Sequence, residues 1–181
     1  PRTWQICDPE YVQESIKKPI LFDFRSNDII NGGEGAPLVP IFHLALAKNH
    51  LKAEKPLAFL NIGGVSNMTF IPSDNVFDMI AGDMGPGNAL VNDYMASNVG
   101  KLYDDGGAMA LSGKIDHTRV HQWLKHPYFA RAFPKSLDRD TFKNTLFDVQ
   151  SLSAEDAVAT LSELTVRAIA DYLPGEVKSL I

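Results

Sequence analysis

The chain has 181 residues, 45% of them hydrophobic and 22% charged, with a formal net charge of −5, the make-up of an α/β protein able to bury a sizeable core in one domain or one and a half. The mild acidity and the lack of a basic stripe exclude an electrostatic nucleic-acid binder, while the single cysteine, Cys7, excludes an internal disulfide framework and fits a reducing compartment, with the cytoplasm as the default. No apolar run approaches the roughly 20 residues that span a bilayer, and the opening PRTWQICDPE reads neither as a signal or transit peptide nor, without a methionine, as a natural start.

In chain order, Asp8-Pro9 opens a short helix that runs to about Ile16, with Asp8 as the cap and Pro9 at the first helical position. Residues 20–24 read as a buried strand. That strand sets Asp23 and Arg25 two apart on one face, and Gly32, Gly33 and Gly35 then lead into a helix begun by Pro37. Residues of this kind at the carboxyl end of an α/β strand face a ligand crevice; the plain alternative is a surface Asp–Arg pair beside a turn. The helix over residues 37–47, PLVPIFHLALA, is apolar on most of its circumference and is expected to be buried. Residues 48–55, KNHLKAEK, form a polar connector and a candidate domain boundary.

Residues 56–72, PLAFLNIGGVSNMTFIP, read as two apolar strands around a polar tip. A further strand is expected over 76–81, running into the loop GDMGPGN at 82–88 and a helix to about Val99. Residues 103–113 are loop-like with a small-residue helix inside, 119–125 form a short helix and 127–139 are irregular. The last helix, over 153–173, opens on Ser153 and Asp156 as a capping box with Asp in place of Glu or Gln. Residues 176–181, EVKSLI, look like the opening of a strand, and no internal repeat is present.

Two segments carry anion-binding chemistry. Gly63 and Gly64, flanked by Asn61 and Asn67, would let backbone N–H groups approach phosphate oxygens closely, although paired glycines most often simply make a hairpin turn. In residues 82–88 an acidic Asp83, a Gly-Pro-Gly turn and a helix start coincide, which offers unpaired N–H groups beside a carboxylate able to hold a metal ion through water. The alternative is that Asp83 and Asn88 merely cap the helix, worth about 1 kcal/mol. Of His43, His50, His117, His121 and His126, only His117 and His121 stand at i, i+4, and they lack the Glu of a zinc-protease helix; all five read as structural or exposed. Ser66, Ser112, Ser136 and Cys7 lack the context of a nucleophile, and Met79, Met84, Met95 and Met109 read as gap-filling core.

Taken in order, DFRSNDIINGGEGAPLVPIFH, NIGGVSNMTF, GDMGPGNALVNDY, YDDGGAMALSGK and HPYFARAFPKSLDRDTF resemble the blocks of the anhydro-N-acetylmuramic acid kinases, and the likeness extends back to QICDP at Gln5, which is similar to the family's QIGDP. The resemblance implies an α/β, actin-like and hexokinase-like (ribonuclease H-like) ATPase fold whose two lobes close on ATP and sugar. Residues 1–51 would be the C-terminal part of the first lobe, and 52–181 most of the second. It implies a cytoplasmic kinase of cell-wall recycling that uses ATP and Mg²⁺: water attacks the anomeric carbon of 1,6-anhydro-N-acetylmuramic acid, and O6 accepts the γ-phosphoryl group to give N-acetylmuramic acid 6-phosphate. The family's catalytic carboxylate falls on Asp23, as a general base worth on the order of 10²- to 10⁴-fold, and Arg25 orients Asp23 or contacts the sugar. Asn61, Gly63, Gly64 and Asn67 match the second-lobe phosphate loop, while Asp83, Gly85, Gly87 and Asn88 match the Asp-Thr-Gly-Pro-Gly-Asn block near metal and phosphates. The implied partner is a small anhydro sugar, with neither nucleic acid nor membrane, and a homodimer as in the family generally.

Three positions depart from the family: Met84 stands for Thr, Cys7 for Gly, and Asp138 for Gly in a PKSTGRE-like stretch. Family members also carry a Gly-Thr-Ser-x-Asp-Gly phosphate loop and a Cys-Gly-Gly-Gly adenosine segment, neither found in these 181 residues. The chain therefore reads as an internal portion of such a kinase and as a poor enzyme by itself. Two alternatives stand beside this reading: a levoglucosan kinase of the same family, and a catalytically dead lobe that serves as a binding module.

Overall fold

The computed structural model describes residues 3–181. Helix α1 (Pro9–Ile16) begins where the Asp8 carboxylate accepts the Tyr11 amide at 3.0 Å and ends at Lys17 in a left-handed conformation. The expected strand over 20–24 does not form. Residues 20–23 are irregular, a turn follows, and helix α2 (Ser26–Ile30) begins at once, with Leu21, Phe22 and Phe24 exposed. A strand needs a neighbour to take up its N–H and C=O groups, and no described strand lies alongside this segment. Asp23 and Arg25 consequently lie at a turn rather than at a strand end.

Helix α3 (Pro40–Asn49) starts later than expected, at the second of its two prolines, which occupies a first-turn position where no N–H is needed. It buries Pro40, Leu44 and Ala47, a stripe at i, i+4, i+7, and leaves Ile41 and Phe42 exposed, so it is one-sided rather than buried all round. Leu44 and Ala47 pack on Leu57 and Ile71. The His43 ring stacks on Phe59 with centroids 4.2 Å apart, its Nδ1 2.9 Å from Thr69 Oγ1. These contacts dock α3 on the sheet across the polar connector.

That sheet holds β1 (Leu57–Ile62), β2 (Val65–Ile71), β3 (Ile80–Pro86) and β4 (Ser179–Leu180) in the order β3-β2-β1-β4, with β1, β2 and β3 antiparallel and β4 parallel to β1. Because side chains alternate along a strand, Leu57 and Ile71 meet α3 on one face while Ala58, Met68, Phe70 and Met84 form a second cluster on the other. The third strand differs from expectation. Residues 76–78 form a 3₁₀ turn, with the Asn75 side chain accepting the Phe77 amide at 3.2 Å and Ser73 and Asn75 both donating to Asp78. The strand proper therefore runs through Gly-Asp-Met-Gly-Pro, which reads as a loop in the sequence. Gly82 and Gly85 make this feasible, since a Cβ there would stand 2.8 Å from the Lys135 carbonyl and 2.6 Å from Ala168 Cβ respectively.

The remainder is helical: α4 (Ala89–Tyr94), which widens into a π turn over Met95–Val99, then α5 (Ala108–Ser112), α6 (His117–Trp123), α7 (Thr145–Asp148) and α8 (Ala154–Ala170). Val158, Leu161, Leu164 and Ala168 of α8 pack with Leu90, Tyr94, Val120, Trp123, Phe129 and Phe142 as the main core. Ser153 caps α8 by accepting the Asp156 amide at 3.1 Å, but the box is only half formed, because Asp156 turns to accept the Lys114 amide at 2.6 Å. Among the described residues no helix is long and apolar enough to cross a membrane.

Candidate active site

Asp23 has φ 57°, a left-handed conformation that few residues other than glycine adopt and that Asp tolerates. Its Oδ1 accepts Gln5 Nε2 at 2.9 Å and the Ser26 hydroxyl, while Oδ2 has no hydrogen-bond partner among the described residues. The carboxylate lines a hollow of about 440 Å³ together with Trp4, Gln5, Cys7 and Phe22, within the size range of small-ligand sites. Arg25 makes no hydrogen bond or ion pair with Asp23. Its Nη1 donates to the Gly35 carbonyl at 2.7 Å while Asp28 accepts the Gly35 amide at 2.8 Å, so the glycine loop is fastened from both sides. Orientation of Asp23 falls to Gln5 and Ser26; in the sequence Ser26 carries no sign of this role, and Gln5 only its place in QICDP.

The two glycine-rich segments form a single corner. The Gly63 carbonyl accepts the Asn88 amide at 2.7 Å, and the Gly64 carbonyl accepts the amides of Gly87 at 2.9 Å and Ala89 at 3.2 Å. Asn88 Nδ2 donates to the Ile62 carbonyl at 3.1 Å. The sequence predicts unpaired N–H groups at this helix start; at Gly87, Asn88 and Ala89 they are instead engaged by the hairpin, and the Asn88 side chain makes no cap bond. Gly85 and Gly87 are buried beneath the corner, while Asn61, Gly64 and Asn88 face solvent. Two buried hydroxyls brace it from below: Ser66 donates to the Gly85 carbonyl at 3.0 Å, and Thr165 to that of Gly87 at 2.9 Å.

Asn61, Asn67 and Asp83 are register partners across β1, β2 and β3, which places the three in a row on one face of the sheet. At the outer edge of β3, residues 133–137 form a strap. The Asp83 amide donates to the Lys135 carbonyl at 2.8 Å, the Asp83 carbonyl accepts Tyr128 O–H at 2.6 Å, and Asp83 Oδ2 accepts the Leu137 amide at 2.7 Å. Burial raises the Asp83 carboxyl above the ordinary carboxylate range, with the Leu137 amide opposing it. Burial and the Asp83 charge push the Tyr128 phenol up, so it stays protonated as a donor. Burial, with help from Arg131, lowers Lys135.

Ser136 on the same strap donates to Glu34 Oε2 at 3.0 Å, joining the Asp83 edge to the loop behind Asp23. No group of three or more His, Cys, Asp or Glu side chains able to hold a metal occurs among the described residues. A lone carboxylate with one oxygen engaged suits Mg²⁺, which keeps several waters and takes one or two carboxylates plus substrate oxygens.

The departures from the family pattern fall in different places. Met84 is fully buried against Ala58, Met68 and Phe70, so its thioether belongs to the core rather than to the corner. Cys7 is exposed on the Asp23 hollow, and Asp138 accepts the Asp140 amide at 2.8 Å in a local turn. A second hollow, of about 520 Å³ beside Trp123, His126, Phe142 and Asp148, includes none of the candidate residues.

A mixed sheet whose glycine hairpin locks onto the start of a helix, flanked by helices on both faces, defines an α/β protein. The sequence model of the family described as anhydro-N-acetylmuramic acid kinase matches residues 1–178, and the chain belongs to that family. An anhydro-N-acetylmuramic acid kinase of Rhodopseudomonas palustris (strain ATCC BAA-98 / CGA009) is 44% identical over 172 residues, 95% of this chain and 46% of the relative. Those of Gluconobacter oxydans (strain 621H) and Paramagnetospirillum magneticum (strain ATCC 700264 / AMB-1) are each 45% identical, over 173 and 170 residues, 93% of this chain in both cases and 47% and 46% of the relatives. The chain thus spans about half the length of the curated relatives it matches.

Proposed function

We propose that the chain supplies part of an ATP-dependent kinase that opens 1,6-anhydro-N-acetylmuramic acid with water and phosphorylates O6, giving N-acetylmuramic acid 6-phosphate in cytoplasmic peptidoglycan recycling. Within an actin-like, ribonuclease H-like ATPase fold, residues 1–51 end the first lobe and 52–181 make up most of the second. Family membership supports the reaction. The observation that carries the reading is the Asp23 carboxylate, held at one oxygen by Gln5 and Ser26 and lining a sugar-sized hollow.

In this reading Asp23 Oδ2 takes a proton from the water whose oxygen forms the new bond to the anomeric carbon. The bond from that carbon to O6 breaks towards O6, which then bonds to the γ-phosphorus as ADP leaves. A base must lie within hydrogen-bond reach of that water, and the left-handed backbone at Asp23 with its two donors fixes where the carboxylate points. Arg25 secures the glycine loop through the Gly35 carbonyl. Asn61, Gly64 and Asn88 meet phosphate oxygens at the solvent-facing rim of the corner, and Gly63, Asn67, Gly85 and Gly87 shape it. Asp83 would hold Mg²⁺ through water, and the ion, when bound, offsets charge on the transferring phosphoryl group.

Replacing Asp23 with Asn in the full-length protein tests the reading. Loss of on the order of 10²- to 10⁴-fold in kcat, with sugar affinity retained, is expected; ATP-dependent phosphorylation within a few-fold of wild type would remove Asp23 from the mechanism.

A further inference from the structure

Gln5 is fixed at both ends. Its backbone carbonyl accepts the Cys7 amide at 3.0 Å, closing a three-residue turn just ahead of the Asp8 cap of α1, and its Nε2 donates to Asp23 Oδ1 at 2.9 Å. The Ser26 hydroxyl donates to the same oxygen, so the carboxylate has a second anchor. What Gln5 adds is its amide carbonyl, an acceptor joined rigidly to the nitrogen that grips Asp23. Gln5 Oε1 has no hydrogen-bond partner among the described residues, and Gln5 and Asp23 line the same hollow of about 440 Å³.

A water molecule that attacks carbon has two hydrogens to place. One goes to the base; unless the other meets an acceptor, the molecule turns about its first hydrogen bond and its lone pair has no fixed direction, which forfeits near-attack geometry. Asp23 Oδ2 takes the first hydrogen, and Oδ1 is already engaged by two donors. The Gln5 carbonyl belongs to the amide that is one hydrogen bond from that carboxylate, and it stands on the same hollow. It is also a stronger acceptor than the Cys7 thiol that lines the hollow beside it.

We infer that Gln5 is a catalytic residue that orients the attacking water: the water directs one hydrogen to Asp23 Oδ2 and the other to Gln5 Oε1, while Gln5 Nε2 keeps the base in place. As the water oxygen bonds to the anomeric carbon, the first proton passes to Asp23. The electrons of the broken carbon–O6 bond go to O6, which bonds to the γ-phosphorus as ADP leaves. The second hydrogen stays on the new anomeric hydroxyl, still donated to Gln5. The inference rests on the reading of Asp23 as the general base.

The test uses three replacements of Gln5 in the full-length protein, alongside Asp23→Asn. Gln5→Met keeps the length and loses both donor and acceptor; kcat should fall by about tenfold or more with KM for the anhydro sugar within about twofold, the split expected of an interaction made in the transition state. Gln5→Lys restores a donor for Asp23 but no acceptor and should be as slow as Gln5→Met. Gln5→Glu, ionised at pH 8, has no hydrogen to give and sets a like charge beside Asp23; protonated, it has one O–H donor and one carbonyl acceptor, as the amide has. Its rate relative to wild type at the same pH should therefore rise by about fivefold or more from pH 8 to pH 5, while the Gln5→Met ratio stays flat, a difference that a merely structural role would not produce. Adding Gln5→Met to Asp23→Asn should slow it by less than about twofold, since both act on one water. Wild-type kcat in Gln5→Met, or a flat ratio in Gln5→Glu, overturns the role of Gln5; wild-type kcat in Gln5→Lys reduces Gln5 to a donor and overturns its contact with water. Activity near wild type in Asp23→Asn instead overturns the reading of Asp23, whatever Gln5 does. Should Gln5→Met fail to fold, the pH dependence of Gln5→Glu decides.

Discussion

Ser136 donates a hydrogen bond to Glu34 at 3.0 Å across 102 positions of sequence, and this one contact joins the loop behind Asp23 to the strap that grips Asp83. The two carboxylates on which the proposed chemistry depends are thereby mechanically connected. Ser136→Ala should cost about 1 kcal/mol of unfolding free energy, the usual net worth of such a bond. Glu34→Gln should cost less, because its amide oxygen still accepts. Chemical denaturation of both single variants and the double variant checks this: the double should lose no more than Ser136→Ala alone.

Asp83 is kept at a cost in stability. Its carboxyl is raised in the folded state by burial, so between its unfolded and folded values the native state binds more protons than the unfolded chain, and stability falls as pH rises through that window. Above the window the penalty is constant. Asp83→Asn still accepts the Leu137 amide through its carbonyl oxygen, so it should melt no lower than wild type at pH 7, and its advantage should shrink as pH falls through the raised folded value towards the ordinary carboxylate range. Thermal melts from pH 4 to 7 measure the difference. Loss of kinase activity in the same variant would mark the carboxylate as retained for function.

What the sequence makes legible follows from local chemistry. The hairpin at Gly63-Gly64, the Ser153 cap and the apolar stripe of α8 are all readable because neighbouring residues create them. Residues 20–24 are misread because an apolar run specifies burial, not the neighbour that a strand requires. The glycines of 82–88 are likewise misread as loop, since what they accommodate, the Lys135 backbone and Ala168, lies far along the chain. For the same reason Asp23 is visible as a candidate, but its partners Gln5 and Ser26, and the Tyr128–Lys135–Leu137 grip on Asp83, come only from three-dimensional proximity.

The corner between the hairpin and α4 should separate two glycines sharply. A Cβ on Gly87 would stand 2.3 Å from the Gly63 carbonyl oxygen, a backbone atom that cannot yield, whereas one on Gly64 meets Ala89 Cβ at an ordinary 3.6 Å. Gly87→Ala is expected to destabilise by about 1–3 kcal/mol through overpacking. Gly64→Ala should fold with a melting temperature near wild type, yet raise KM for ATP in the full-length protein by placing a methyl group on the solvent-facing rim. Melting curves and steady-state kinetics on the same two variants distinguish a structural glycine from one that keeps a ligand path open.

His43 makes the seam between α3 and the sheet sensitive to pH. Its ring lies flat on Phe59 and its Nδ1 meets Thr69 Oγ1, an arrangement compatible with neutral imidazole, and burial lowers its pKa below the ordinary 6.5. A folded value lower than the unfolded one means that the unfolded chain takes up the proton first. The stabilisation is therefore complete above the unfolded value and declines as pH falls through 6.5 towards the folded value. His43→Phe keeps the stack, gives up one hydrogen bond and cannot titrate. It should be somewhat less stable than wild type at pH 8, and the gap should narrow steadily on acidification to pH 5. Parallel melts at constant ionic strength read this out, and a gap that stays constant across that range would mean that the imidazole titrates as freely in the folded protein as in the unfolded chain.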